Sequence, residues 1–225
     1  MKFLSSLALG SVCCFSAAAQ KCEGYLLMQA GKTVTMTHYN RKGEPNGKVV
    51  YKITGAENNQ GALTSTVSSE VFDSKGGILS SGTSNVQCTG NAYRADVHLV
   101  MSQQQVKQLR NFNATGDFYV DYPVNMKVGD VLKDAQYTLQ STNSEGIVTE
   151  MNVAIEERTV LAEEQVTTAA GTWNCFKIKA HITFKAQVGG LSIPLSVDNM
   201  EWFAPGVGVV RNEAKSYRSE LTSVE

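Results

Sequence analysis

From residue 32 onward the chain alternates. In KTVTMTHY (32–39), KVVYKITG (48–55), LTSTVSSEVF (63–72) and ILSSGTSNVQC (78–88), apolar and polar side chains change places at almost every step, and Val, Ile, Thr and Tyr dominate. A period of two points successive side chains to opposite faces of an extended strand, so each run predicts a half-buried β-strand. The links NRKGEPNG, ENNQG and SKGG carry the Gly, Asn and Pro that tight turns require. Links this short force antiparallel neighbours, and the first half of the chain reads as a meander of hairpins.

After NAYRADVHLV (91–100) the period changes. Ser102 is placed to cap a short helix reaching Phe112, with Val106, Leu109 and Phe112 on one side. Strand patterning resumes at DFYVDYP (117–123) and runs through IVTEMNVAIEERTV (147–160), WNCFKIKAHITFKA (173–186) and LSIPLSVDNMEWF (191–203). In WNCFKIKAHITFKA one face carries Phe176, Ile178, Ala180, Ile182 and Phe184, and the other Cys175, Lys177, Lys179, His181 and Thr183. The predicted fold is mainly β: a large curled antiparallel sheet, a half-barrel or open barrel, with one short helix packed against it. No linker, repeat or low-complexity tract divides residues 20–225, which read as a single domain.

The first residues are of another kind. Lys2, the apolar run FLSSLALGSVCCF (3–15) and Ala17-Ala18-Ala19 form the three regions of an export signal over residues 1–19. The run is shorter than the roughly 20 residues a membrane helix needs, so no transmembrane segment is expected. Export fixes the redox setting, in which disulfides persist. Past the signal the chain keeps Cys22, Cys88 and Cys175. A meander puts Cys22, before the first strand, and Cys88, ending the fourth, at the same end of the sheet. They are the candidate disulfide, and the direction of the strand that Cys175 begins is left open.

Composition narrows the function by exclusion. Hydrophobic residues make up 42% and charged residues 18% of the 225, enough for a sizeable core, and the net charge of −1 argues against a nucleic-acid partner. His38, His98 and His181 lie too far apart for local metal-ligand spacing, and no G-x-S-x-G, P-loop or H-E-x-x-H occurs, so no catalytic residue, metal or cofactor is assigned. In MEWFAPGVGVVR (200–211) a dinucleotide loop would need a third glycine and a following helix; Pro205-Gly206 reads instead as the centre of a type II turn between two strands. Lys32, Arg41, Lys42, Lys48 and Lys52 gather around the first hairpin, either as charge protecting a sheet edge or as a surface for anionic lipid headgroups.

The order of Cys22, QAGKTVTMTHYNRKGEPNGKVVYKI, EVFDSKGG, Cys88, YPVNMKVGDVLKDA, VTTAAGTWNCFKI and EWFAPGVGVVRNE resembles the TapB-type family of exported Gram-negative proteins. These belong to a wider set of domains of unknown function whose shape is similar to the half-barrel of the periplasmic lipoprotein carriers. One departure is Ala169, where the family commonly has proline. The resemblance implies a fold and an envelope location, periplasmic or outer-envelope associated, but no reaction and no ligand.

A curled sheet has a concave face. If Phe176, Ile178, Ile182 and Phe184 are only partly covered, and the helix bearing Val106 and Leu109 acts as a lid, the hollow suits a hydrophobic ligand: a lipid, an acyl chain or a lipoprotein. The alternative is a structural or interaction protein of an envelope assembly, partnered by another envelope protein, with a filled core and no small ligand. Both readings are non-enzymatic.

Overall fold

The computed structural model describes residue 22 and residues 24–59, 62–99, 113–116, 118–142, 148–188 and 191–225. The export segment 1–19 and the predicted helix with Val106 and Leu109 lie outside the described residues. Thirteen strands form one antiparallel sheet. They are β1 (Thr33–Tyr39), β2 (Pro45–Asn59), β3 (Ala62–Phe72), β4 (Ile78–Cys88), β5 (Ala92–Asp96), β6 (Asn113–Gly116), β7 (Tyr119–Pro123), β8 (Ala135–Thr142), β9 (Val148–Thr168), β10 (Gly171–Val188), β11 (Leu191–Ala204), β12 (Gly208–Ala214) and β13 (Tyr217–Val224). Beside the helical residue Cys22, the helical pieces among the described residues are single 3-10 turns at Leu26–Met28 and Val97–Leu99.

The sheet order is β6-β8-β9-β10-β11-β12-β13-β1-β2-β3-β4-β5-β7. Two meanders, β8 to β13 and β1 to β5, meet where the first strand pairs with the last, from Val34 opposite Val224 to Tyr39 opposite Arg218. The first hairpin is therefore internal to the sheet, and its lysines do not guard an edge. Lys52 instead pairs with Glu70 at 3.2 Å, and the Lys48 ammonium sits over the Phe72 ring at 5.4 Å. The two outer strands of the order, β6 and β7, are separated by only two residues of chain. One pairs with β8 and the other with β5, so the chain passes from one end of the sheet to the other and the sheet nearly closes into a barrel.

A barrel of this many strands is wider than side chains can fill from one wall, so opposite walls must approach. They touch through aromatic rings. Tyr122 of β7 stacks on Phe203 of β11 with centroids 4.3 Å apart and planes within 4°, and Tyr93 of β5 lies 5.8 Å from the same phenylalanine. Around them the inward positions of each strand are closed: Val67, Val86, Val160, Ile178 and Leu221 are all buried.

Bulges break the parity in β9. Ile155 faces Ile182, but Glu157 adopts a φ of 54°, the register shifts, and Arg158, which strict alternation would turn outward, points into the barrel with 1% of its surface exposed. Beyond the second shift the tip of the β9–β10 hairpin folds over the outer face of β11 to β13. Trp202 donates its Nε1–H to Glu164 there, Arg211 reaches the Thr167 carbonyl at 3.2 Å, and Lys177 and Arg211 flank the indole at 5.1 and 5.6 Å. This cover buries Trp202 and Cys175 on the outer face.

Leu221, 1% exposed, packs inward where β13 meets Met36 of β1. Truncation to Ala at such a site costs about 2–5 kcal/mol. In urea unfolding Leu221→Ala should show a loss of that size as one cooperative transition, because the junction joins both halves; a loss confined to one half would show the halves to be independent.

Candidate functional site

The chain before β1 crosses one end of the barrel as a strap. Cys22 is joined to Cys88 by a disulfide with Cα atoms 5.7 Å apart, which fixes the strap to the end of β4. A sulfur held in a disulfide carries no thioether-linked lipid, so Cys22 is not a lipid attachment point. Next in the strap, Tyr25 stacks on Tyr93 at 4.2 Å, and the Leu26 amide donates to the Val207 carbonyl at 3.1 Å. A side chain at Gly24 would come within 3.1 Å of the Gly206 carbonyl, so glycine is what lets the two backbones approach.

The partner of the strap is the Pro205-Gly206 turn. The Val207 amide bonds to the Ala204 carbonyl at 3.0 Å across the turn and Gly206 has a φ of 76°, the type II geometry. Burial pushes the Tyr25 hydroxyl up, and the nearby Gly206 backbone opposes that rise. The glycine-rich stretch is thus a strand turn that also clamps the strap.

Beneath the strap lies a cavity of about 60 Å³. Leu26 and Leu27 form its roof, Val34, Met36, Tyr51 and Leu221 its apolar walls, and Asn212, Tyr217 and Ser219 a polar side. The polar side belongs to a row that crosses four strands on the inner face: His38 opposite Ser219, Ser219 opposite Asn212, and Asn212 opposite Glu201. All four are buried, with 5–7% of their surface exposed. The Nε2 of His38 and the Oδ1 of Asn212 have no hydrogen-bond partner among the described residues. Buried polar atoms are rarely left so, because each costs roughly 1–3 kcal/mol when unsatisfied.

At the Glu201 end the row meets the opposite wall. Arg158 donates from one terminal nitrogen to the carbonyls of Asp121 and Lys133, at 3.0 and 2.9 Å, and lies 5.1 Å from the Tyr122 ring. Its other terminal nitrogen has no partner among the described residues, and the Tyr122 hydroxyl faces Glu201 without a bond of ordinary geometry. Burial pushes the Glu201 carboxyl up, with the Arg158 charge opposing. Burial, followed by the Glu201 charge, pushes Tyr217 up to about 12, and burial lowers His38 from 6.5 to about 4. No group of His, Cys, Asp and Glu among the described residues is placed to hold a metal.

The four residues of β10 singled out from the sequence lie elsewhere. Ile178 and Phe184 are buried, Phe176 and Ile182 are partly buried against the core, and none of the four lines the cavity. The lining residues come from β1, β2, β5, β12, β13, the strap, the Val97–Leu99 turn and the turn before β12. Alternation gives every strand an inner face but does not tell where a void remains. One signal was readable: His38, Glu201, Asn212 and Ser219 are polar residues at inward parity. A second hollow, of about 530 Å³, lies on the outer side of β8 to β10, lined by polar side chains such as Gln136, Thr138, Asn152 and Lys185. Thr138 bonds to Asn152 there at 2.7 Å, and the groove has the character of a solvated surface.

A family model described as DUF3108-like matches residues 29–225. The chain belongs to the DUF3108-like family. The matched span begins at Gln29, so Cys22, Tyr25, Leu26 and Leu27 of the strap precede it. Two crystal structures share the fold of this family member. A candidate lipoprotein from Parabacteroides distasonis superposes with a TM-score of 0.76 at 20% identity, over 90% of this chain and 98% of that one. A candidate exported protein with YmcC-like fold from Bacteroides fragilis gives 0.71 at 21% identity, over 88% and 96%. At such identities the likeness is one of fold. No curated protein matches the chain. The family indicates no enzymatic reaction. No helix among the described residues is long and apolar enough to cross a membrane.

His38 generates a pH dependence. Its folded value of about 4 lies below the ordinary 6.5, so its contribution is complete above pH 6.5 and is lost as pH falls through 4. The shift corresponds to about 3 kcal/mol. Glu201, shifted upward, has the opposite slope, so the comparison is made with His38→Gln, which removes one titration and leaves the other. The stability difference between wild type and His38→Gln, from denaturant curves at pH 4 to 8, should narrow by that order on acidification; parallel curves would place His38 in water.

Proposed function

We propose that this protein is a non-enzymatic binding protein of the cell envelope, exported by its first 19 residues, that holds the apolar part of a lipid, acyl chain or lipid-modified polypeptide inside the barrel. The observation that carries the reading is the apolar cavity roofed by the strap. The void lies where a segment outside the sheet, a strap held by one disulfide, a stacked ring pair and a few backbone bonds, crosses the barrel. Binding sites of this kind are concave, mostly apolar and furnished with a few polar groups. The resemblance to TapB-type exported proteins and the printed descriptions of the two structural neighbours, one a candidate lipoprotein and one a candidate exported protein, support the envelope setting.

The size of the cavity defines how binding works. An engineered apolar cavity of about 150 Å³ holds benzene, so a void of about 60 Å³ takes a short alkyl group and a longer chain enters only as Leu26 and Leu27 move. The same small volume favours the second reading, a structural or interaction protein with a filled core.

Native mass spectrometry of protein extracted from the envelope separates the two. A bound mass of lipid size supports the first, and bare polypeptide throughout supports the second. Replacing Cys22 and Cys88 together by Ser should cost about 2–5 kcal/mol of stability. On the binding reading it also speeds hydrogen exchange at Leu26 to Met28 and loss of the bound mass on gel filtration. A stability loss with no effect on the bound mass would show that the strap does not govern access.

A further inference from the structure

We propose that the barrel cavity selects a ligand whose buried end is a neutral hydroxyl or amide, and excludes a carboxylate or phosphate there. The inference rests on the binding reading above and adds the chemistry of the ligand. No Lys, Arg, His, Asp or Glu among the described residues lines the cavity. An anion entering it would give up its water and find no counter-charge, a cost much larger than that of burying a neutral group that is hydrogen-bonded. The next inward position beyond Asn212 is Glu201, a second acid, whose compensating charge, Arg158, already serves it and two backbone carbonyls.

The cavity is not indifferent to polarity. Asn212 lines it and is 7% exposed, and its Oδ1 has no partner among the described residues; Ser219, 5% exposed, stands beside it on β13. A hydroxyl can donate to one of this pair and accept from the other, and an amide can do the same. Water is the competing occupant. It can bond to Asn212, Tyr217 and Ser219 but makes poor contact with the apolar roof and walls, so a small amphiphile completes both halves of the surface where water completes one.

The test is an NMR titration of the protein with n-butane, 1-butanol and butyrate at neutral pH, following the amides of Leu27, Asn212 and Leu221. Butanol should bind about tenfold more tightly than butane, the value of one hydrogen bond to an otherwise unpartnered buried group, and butyrate at least tenfold more weakly than butanol. Asn212→Leu should bring butanol down to the affinity of butane and leave butane binding in place. Should that variant fail to fold, Ser219→Ala is read instead, with a several-fold fall in the preference for butanol. Equal affinities for butane and butanol, or butyrate equal to butanol, would overturn the inference while leaving the binding reading intact. If no probe moves these resonances, the binding reading falls with it.

Discussion

The architecture depends on the pairing of its first strand with its last. Without the β1–β13 ladder, the two meanders are separate open sheets, each with a long unpaired edge and one uncovered apolar face. With it, Thr33 and Glu225 exchange backbone hydrogen bonds at 3.0 and 2.9 Å, the order becomes continuous, and the β6–β7 run can span the remaining gap. This contact is as non-local as the chain permits, so its entropy of closure is recovered only when the whole sheet forms. The aromatic contact between Tyr122 and Phe203 follows from the same closure, since the rings belong to opposite walls.

Closure also explains why polar groups are found inside. Long strands of a strongly curled sheet cannot keep one register throughout, and the shifts in β9 rotate Arg158 inward and turn the hairpin tip onto the outer face. Once Arg158 is inside, an unpaired guanidinium would be very costly, and Glu201 with the two carbonyls offsets that cost. The same inner row then continues through Asn212 and Ser219 to His38, where the strap, the turn at Gly206 and the cavity meet. The void and the polar row are therefore adjacent, and the adjacency gives the interior a chemical character that a purely aliphatic core would lack.

The strap, with Leu99 and Val207, covers this region from outside the strands. Its hold combines one covalent bond, one stacked ring pair and a close backbone approach that requires Gly24. Cys22, Tyr25 and Met28 are buried in the core and Leu26 and Leu27 pack against it, so apolar contact holds the strap as well as these links.

The sequence by itself determined the strands, the turns and the antiparallel class, because these depend on neighbours within a few residues: alternation in KTVTMTHY, the glycine of Pro205-Gly206, the short hairpin links. It also marked the four β10 residues as an inward face, which follows from parity alone. Where the void lies was not legible, since that depends on which inner faces meet after closure, and the β10 face meets other side chains while the face of β1, β12 and β13 meets the strap. The inward turn of Arg158 and the burial of Trp202 on an outer face were hidden for a related reason. Both arise from register shifts accumulated along a twenty-one-residue strand, and a shift of one residue reverses every side chain beyond it. Local pattern fixes what each segment is; only the packing of distant segments decides which side chains share a site.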